Sequence, residues 1–179
     1  MILTQTKYDF DTVFKRFPRD IQDKINSIKQ FEGHHPEIYL KEHMRQVFNL
    51  AQEVGHPVLM IAALLHDLGK IDTQRTYYHP KYKKMVNCFI GHERYAPIYI
   101  RRYIHLFRDI LPADGSVYDV GYICKHHMRI RKYLSGEMTD RKKRLRLEAH
   151  PCFNLLIKFA EIDKLGRQPL LKAKKDAII

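Results

Sequence analysis

Hydrophobic positions along this 179-residue chain recur at the three-to-four-residue spacing of helices. They show hardly any of the alternation of strands. Residues 8–31 carry Ile21, Ile25 and Ile28 at helical spacing and read as an opening helical segment. Gly33-His34-His35-Pro36 breaks that pattern. An amphipathic helix is predicted over residues 37–54, with Leu40, Val47, Leu50 and Val54 on one face and His43 among them. Gly55-His56-Pro57 ends it and puts a proline near the first turn of the next helix. Residues 58–68 are apolar nearly all round, the pattern of a buried central helix. His66 and Asp67 leave its last turn, and Gly69 is expected to terminate it.

Residues 71–87 lose the periodicity. They are rich in Tyr and Lys and read as a loop, with at most a short helix, lying over a site. A further helix is predicted from Gly91-His92-Glu93 to about Leu111, followed by a turn at Pro112 to Ser116. Residues 117–128 form the next, with Val120, Ile123, Cys124 and His127 on one face. A break at 136–140 precedes a last patterned helix, 152–167, which carries Asp163 on the apolar face of Leu156, Phe159 and Ala160. The chain is therefore expected to be all-α, a single domain with a basic tail after Gly166 that frays.

The polar residues inside this pattern carry the chemistry. His43, His66, Asp67 and Asp163 all fall on inward positions of helices that a bundle can bring together. Four unpaired buried polar groups are expensive. Two imidazoles and two carboxylates suit one divalent ion such as Mn, Fe, Co, Ni, Zn or Mg. A core histidine or a buried ion pair explains each residue singly, but not the set.

Charge narrows the partners. Lys and Arg total 32 against 20 acids, a net charge of +12 with a pI near 9.6, which points to phosphate-rich partners, nucleic acid first. Nine of those cations lie between Lys125 and Arg146 against two acids. Hydrophobic residues make up 45% of the chain, which excludes a disordered polymer. Three widely separated cysteines without a CxxC read as reduced thiols, so a cytoplasmic protein is expected. No secretory leader is expected from residues 1–7, and the longest apolar run, 57–65, is too short for a membrane span.

The series Leu64-Leu65-His66-Asp67-Leu68-Gly69-Lys70, with His43 before it and Asp163 after it, resembles the HD superfamily of metal-dependent phosphohydrolases. Gly91-His92-Glu93, Ile123-Cys124-Lys125-His126-His127-Met128 and Ala160-Glu161-Ile162-Asp163-Lys164-Leu165-Gly166 resemble elements of one branch, the HD domain attached to bacterial tRNA nucleotidyltransferases and poly(A) polymerases. The nucleotidyltransferase head of that branch is absent, so nucleotide addition is not expected.

The resemblance implies an HD-domain helical bundle over 37–167, an N-terminal segment 1–36 packed on it, and a tail 168–179. It implies that His43, His66, Asp67 and Asp163 ligate one metal. His92 and His127 match positions that complete a second metal site or contact substrate phosphate. His126 is the rival to His127, which shares the face of Val120, Ile123 and Cys124. Glu93 is a general base, an orienter of a metal-bound water, or simply a carboxylate favoured at a helix start. Lys70 heads the cations expected on phosphate, followed by Arg129, Arg131, Arg141 and Arg144. The function implied is hydrolysis of a nucleotide or RNA-end phosphate (2′,3′-cyclic, 2′- or nucleoside monophosphate) by metal-activated water. The alternatives are a nucleic-acid-binding module with a structural metal site and a hydrolase of a signalling nucleotide. Partners are a nucleotide or RNA and no membrane, and a homodimer stays open.

Overall fold

The computed structural model describes residues 8–111 and 116–169. The chain runs α1 (Phe10–Phe14), α2 (Arg19–Ser27), α3 (Leu40–Val54), α4 (Pro57–Leu65), α5 (Lys70–Thr73), β1 (Arg75–His79), β2 (Lys84–Cys88), a 3-10 turn (His92–Tyr95), α6 (Ala96–Tyr103), a second 3-10 turn (Ile104–Phe107), α7 (Ser116–Leu134), α8 (Arg141–Glu148) and α9 (Phe153–Leu165). Among the described residues it is a mostly helical bundle with one two-stranded sheet. Among the described residues no helix is long and apolar enough to cross a membrane.

α4 is the axis of the core. Every residue from Val58 to Leu65 is buried, and α3, α6, α7 and α9 pack around it. A helix this apolar has no solvent face, so the elements around it must supply both cover and charge. Pro57 occupies its first turn, and Gly55 closes α3 in the left-handed conformation at φ 75°. The buried face of α3 runs through Leu40, His43, Met44, Val47, Phe48 and Ala51. Val54, expected on it, is exposed.

Several boundaries differ from those predicted. The opening segment is two helices, because Pro18 lacks an N–H and disfavours helical geometry at Phe17. α3 begins at Leu40, and Ile38 before it takes φ 66°, which leaves Glu37 outside the helix. Residues 75–88 form an antiparallel hairpin, with Tyr77 opposite Val86 and His79 opposite Lys84. Its strands stand largely exposed and bury only Val86, so no apolar alternation marked them in the sequence.

The helix expected over 91–111 is broken into 3-10, α and 3-10 pieces, with Gly91 at φ 81° and Pro97 in the first turn of α6. α7 continues past Met128 to Leu134, since nothing in that stretch breaks a helix before Gly136 at φ 77°. Gly69 does not end α4 in a left-handed cap. Its backbone is helical, and its missing Cβ admits the His92 carbonyl. Of the turn expected at Pro112 to Ser116, Ser116 instead begins α7, and residues 112–115, like the tail from residue 170, lie outside the described residues.

Candidate metal centre

Five elements deliver the polar core. α3 supplies His43, the end of α4 supplies His66 and then Asp67, the 3-10 turn supplies His92, α7 supplies His127, and α9 supplies Asp163. All six are buried, His43 completely.

Asp67 sits between two groups of candidate ligands. Its Oδ2 lies 3.5 Å from His43 Nε2 and 3.2 Å from His66 Nε2. Its Oδ1 lies 3.0 Å from His92 Nε2 and 3.6 Å from His127 Nε2. Asp163 Oδ1 completes the first group, 3.0 Å from His43 Nε2 and 3.9 Å from His66 Nε2. His43, His66 and Asp163 therefore form one trio able to hold a metal ion, and Asp67, His92 and His127 form a second.

Four imidazoles turn the same edge inward. His66 Nδ1 donates toward the carbonyls of Ala62 and Ala63 (3.2 Å each), His92 Nδ1 to Phe89 O (2.8 Å) and His127 Nδ1 to Cys124 O (2.7 Å). His43 Nδ1 faces Glu37 Oε1 at 3.0 Å and Gly166 O at 3.3 Å. A neutral ring that donates through Nδ1 presents a bare lone pair at Nε2. Those Nε2 atoms converge on one another and on carboxylate oxygens. His92 and His127 meet Nε2 to Nε2 at 2.9 Å with both other nitrogens committed to carbonyls. His43 Nε2, His66 Nε2 and Asp163 Oδ1 have no hydrogen-bond partner. Lone pairs packed against lone pairs call for a shared cation, and imidazole with carboxylate is the donor set that borderline divalent ions accept.

At His43 a proton shared with Asp163 serves as that cation until a metal ion displaces it. Burial disfavours cationic His43, yet Asp163 and Glu37 on its two nitrogens outweigh that and raise its pKa to about 9. Burial and the neighbouring His66 push His127 down to about 3, so its ring is neutral and able to ligate. Burial would raise the pKa values of Asp67 and Asp163. His66 and Lys70 hold the first well below the carboxylate range, and His43 and Arg167 the second.

A surrounding shell holds these ligands. Lys70, 4% exposed, donates to Asp67 Oδ2 at 2.7 Å and to Gln30. Arg167 donates to Asp163 Oδ2 at 2.8 Å. Glu37, fully buried, accepts from His43 and also from His35 at 2.8 Å. Burial works against its ionised form, but those two histidines bring its pKa to about 2. Glu37 and Arg167 were missed in the sequence. Arg167 was findable, since it lies four residues past Asp163 on the same helical face. Nothing in the spacing marks Glu37.

Outer partners of metal-bound histidines tune affinity about 10–100-fold. Glu37→Gln is therefore expected to weaken metal binding by that factor while the helical circular dichroism stays unchanged, as measured by competition with a chromophoric chelator.

Beside the ligands opens a cavity of about 880 Å³. Lys70, Glu93, Arg129 and Arg131 line it, as expected of them, and so do Arg94, Lys125, Lys132 and Arg167. Arg141 and Arg144 do not. They lie on α8 beyond the Gly136 turn, where Arg144 faces the Tyr133 ring and Glu148. His126 is also outside, packed against Tyr122, so it is His127 that reaches the centre.

The HD domain family model matches residues 40–166, about seven-tenths of the chain. No curated protein matches it.

Proposed function

The chain belongs to the HD domain family, typically metal-dependent hydrolases, and from that premise we propose that it hydrolyses nucleotide or RNA-end phosphates. The observation that carries the reading is the convergence of four Nδ1-committed histidines on the two oxygens of Asp67. A structural site is closed on all sides. This one borders an open, cationic cavity, which favours catalysis over a purely structural role. The preference for RNA ends rests on the net charge of +12 and on the resemblance of the Gly91-His92-Glu93 and His127-Met128 elements to the tRNA nucleotidyltransferase branch.

A bound divalent ion supplies Lewis acidity toward phosphoryl oxygen and lowers the pKa of coordinated water. The chain's own residues do the rest. Lys70 and Arg167 keep Asp67 and Asp163 ionised and oriented. Glu93 lines the cavity and forms no ion pair among the described residues, which leaves it able to take a proton from the attacking water. Arg129 and Arg131 offer guanidinium forks that grip phosphate through paired N–H groups as lysine cannot.

The test is a panel of 2′,3′-cyclic AMP, 2′-AMP, 5′-nucleotides, dNTPs and bis-p-nitrophenyl phosphate, offered to metal-stripped protein with Mg, Mn, Co and Ni restored in turn. Turnover that needs the metal is expected, fastest on a 2′,3′-cyclic or 2′-phosphate. No turnover with any metal would sink the hydrolase reading.

A further inference from the structure

The described metal ligands account for one end of the cavity but not for its size, its charge or the hairpin beside it. About 880 Å³ lies near the upper end of the ~300–1,000 Å³ common for small-molecule sites. Resting on the hydrolase reading for the phosphate end, we propose that the cleft takes the end of a single-stranded nucleic acid rather than a free mononucleotide, with its bases on the aromatic face of the β1–β2 hairpin.

The hairpin carries the argument. Strand alternation puts Tyr77 and His79 on one face, with ring centroids 5.7 Å apart. His79 continues to Tyr82 at 4.7 Å, and Phe31 touches both at 5.6 and 4.9 Å. Phe31 and Tyr77 line the cavity, while His79 and Tyr82 extend the aromatic surface beyond its lining. Phe31 is buried, at 8% exposure, but the other rings are not core. Tyr77 and Tyr82 are 43% and 42% exposed. Lys81 lies over the Tyr82 ring, and Lys84, which is paired with Glu32, lies over Phe31. Exposed rings interleaved with cations form a surface on which unpaired bases stack while the backbone is neutralised.

α7 supplies a matching track for phosphates. Lys125, Arg129 and Lys132 all line the cavity. Their i, i+4, i+7 spacing lays them in one stripe about 10 Å long, more than a single phosphate needs. With Arg94 and Arg131 they make five lining cations that form no ion pair with an acid among the described residues, against Glu93 as the one acid there equally uncommitted. A duplex hides its base faces and cannot use the hairpin, which leaves a single strand as the occupant.

The test is fluorescence anisotropy of the whole chain in chelator, so that nothing turns over, with end-labelled ten-nucleotide oligouridylate and oligodeoxythymidylate as separate arms. A duplex of the same length and AMP serve as competitors. The strand is expected to bind at least tenfold tighter than either competitor. Tyr77→Ala and Tyr82→Ala should each weaken it roughly 5- to 150-fold, the loss of one base stack. Lys125→Gln with Lys132→Gln should flatten the slope of log affinity against log salt by about 1.4. The RNA and DNA arms decide which strand the protein prefers.

AMP binding as tightly as the strand, or both tyrosine variants binding like wild type, would overturn the proposal. Strand binding without turnover after metal is restored overturns the hydrolase reading and leaves the strand site standing. Turnover of small esters with weak strand binding does the reverse.

Discussion

Asp67→Ala should lose activity by about 10³-fold or more and empty both candidate trios of metal at once, whereas His127→Ala should affect only the second. The difference follows from Asp67 facing both trios, with Oδ2 on the His43–His66 side and Oδ1 on the His92–His127 side. His127 belongs to the second trio alone. Charge stabilisation by a bound metal is worth several kcal/mol, and about 4 kcal/mol is already ~10³ in rate. The variant also strands Lys70, buried beside the lost carboxylate, at a stability cost of about 3 kcal/mol or more. Metal content by mass spectrometry, kcat/KM and circular dichroism on the same samples separate the two effects. Asp67→Asn keeps the side-chain volume should the alanine variant unfold. If Asp67→Ala kept full metal content, Asp67 would not be shared by the two trios.

Restoring a divalent ion should raise the melting temperature, and more so at higher pH. An ion at 100 times its Kd adds about 2.7 kcal/mol, which for a chain of this size is roughly 5–11 °C. The pH sense follows from His43. Its pKa is raised to about 9 by Asp163 and Glu37 against the opposing effect of burial. A histidine raised in this way stabilises the metal-free fold fully below its ordinary pKa of about 6.5, and that contribution is lost as pH climbs through 9. The ion must displace the same proton from Nε2. Apparent metal affinity should therefore climb up to tenfold per pH unit from about 7 to 9, then level off. Asp67 and Asp163, held below the usual range, and His127, at about 3, add no proton to displace in that window. Differential scanning fluorimetry across pH, with and without metal, reads both effects. A flat affinity between pH 7 and 9 would remove His43 from the ligand set.

Much of this molecule was legible in one dimension. Helical spacing located α3, α4, α7 and α9, because amphipathic and fully buried helices must repeat their apolar positions to pack. The same logic exposed the candidate ligands. His43, His66, Asp67 and Asp163 are polar residues on faces that have no business being polar unless they are engaged. The hairpin was not legible, because an exposed ribbon needs no alternation, and its Tyr and Lys residues read equally well as a loop. The break within 91–111 was not legible either: only the first 3-10 turn carries His92, and the second sets Phe107 against Phe17, neither of which a helical spacing encodes.

What the sequence determined by itself is the bundle, its central helix and the inward placement of the candidate ligands, since these depend on composition at fixed spacing within single elements. Tertiary structure alone decided that Asp67 joins two ligand groups rather than serving one. It also chose His127 over His126, buried Glu37 beneath His43, and divided the basic run into cations that line the cavity and cations on α8 that do not. Each of those outcomes depends on where one element lies against another, and no periodicity within a helix encodes that.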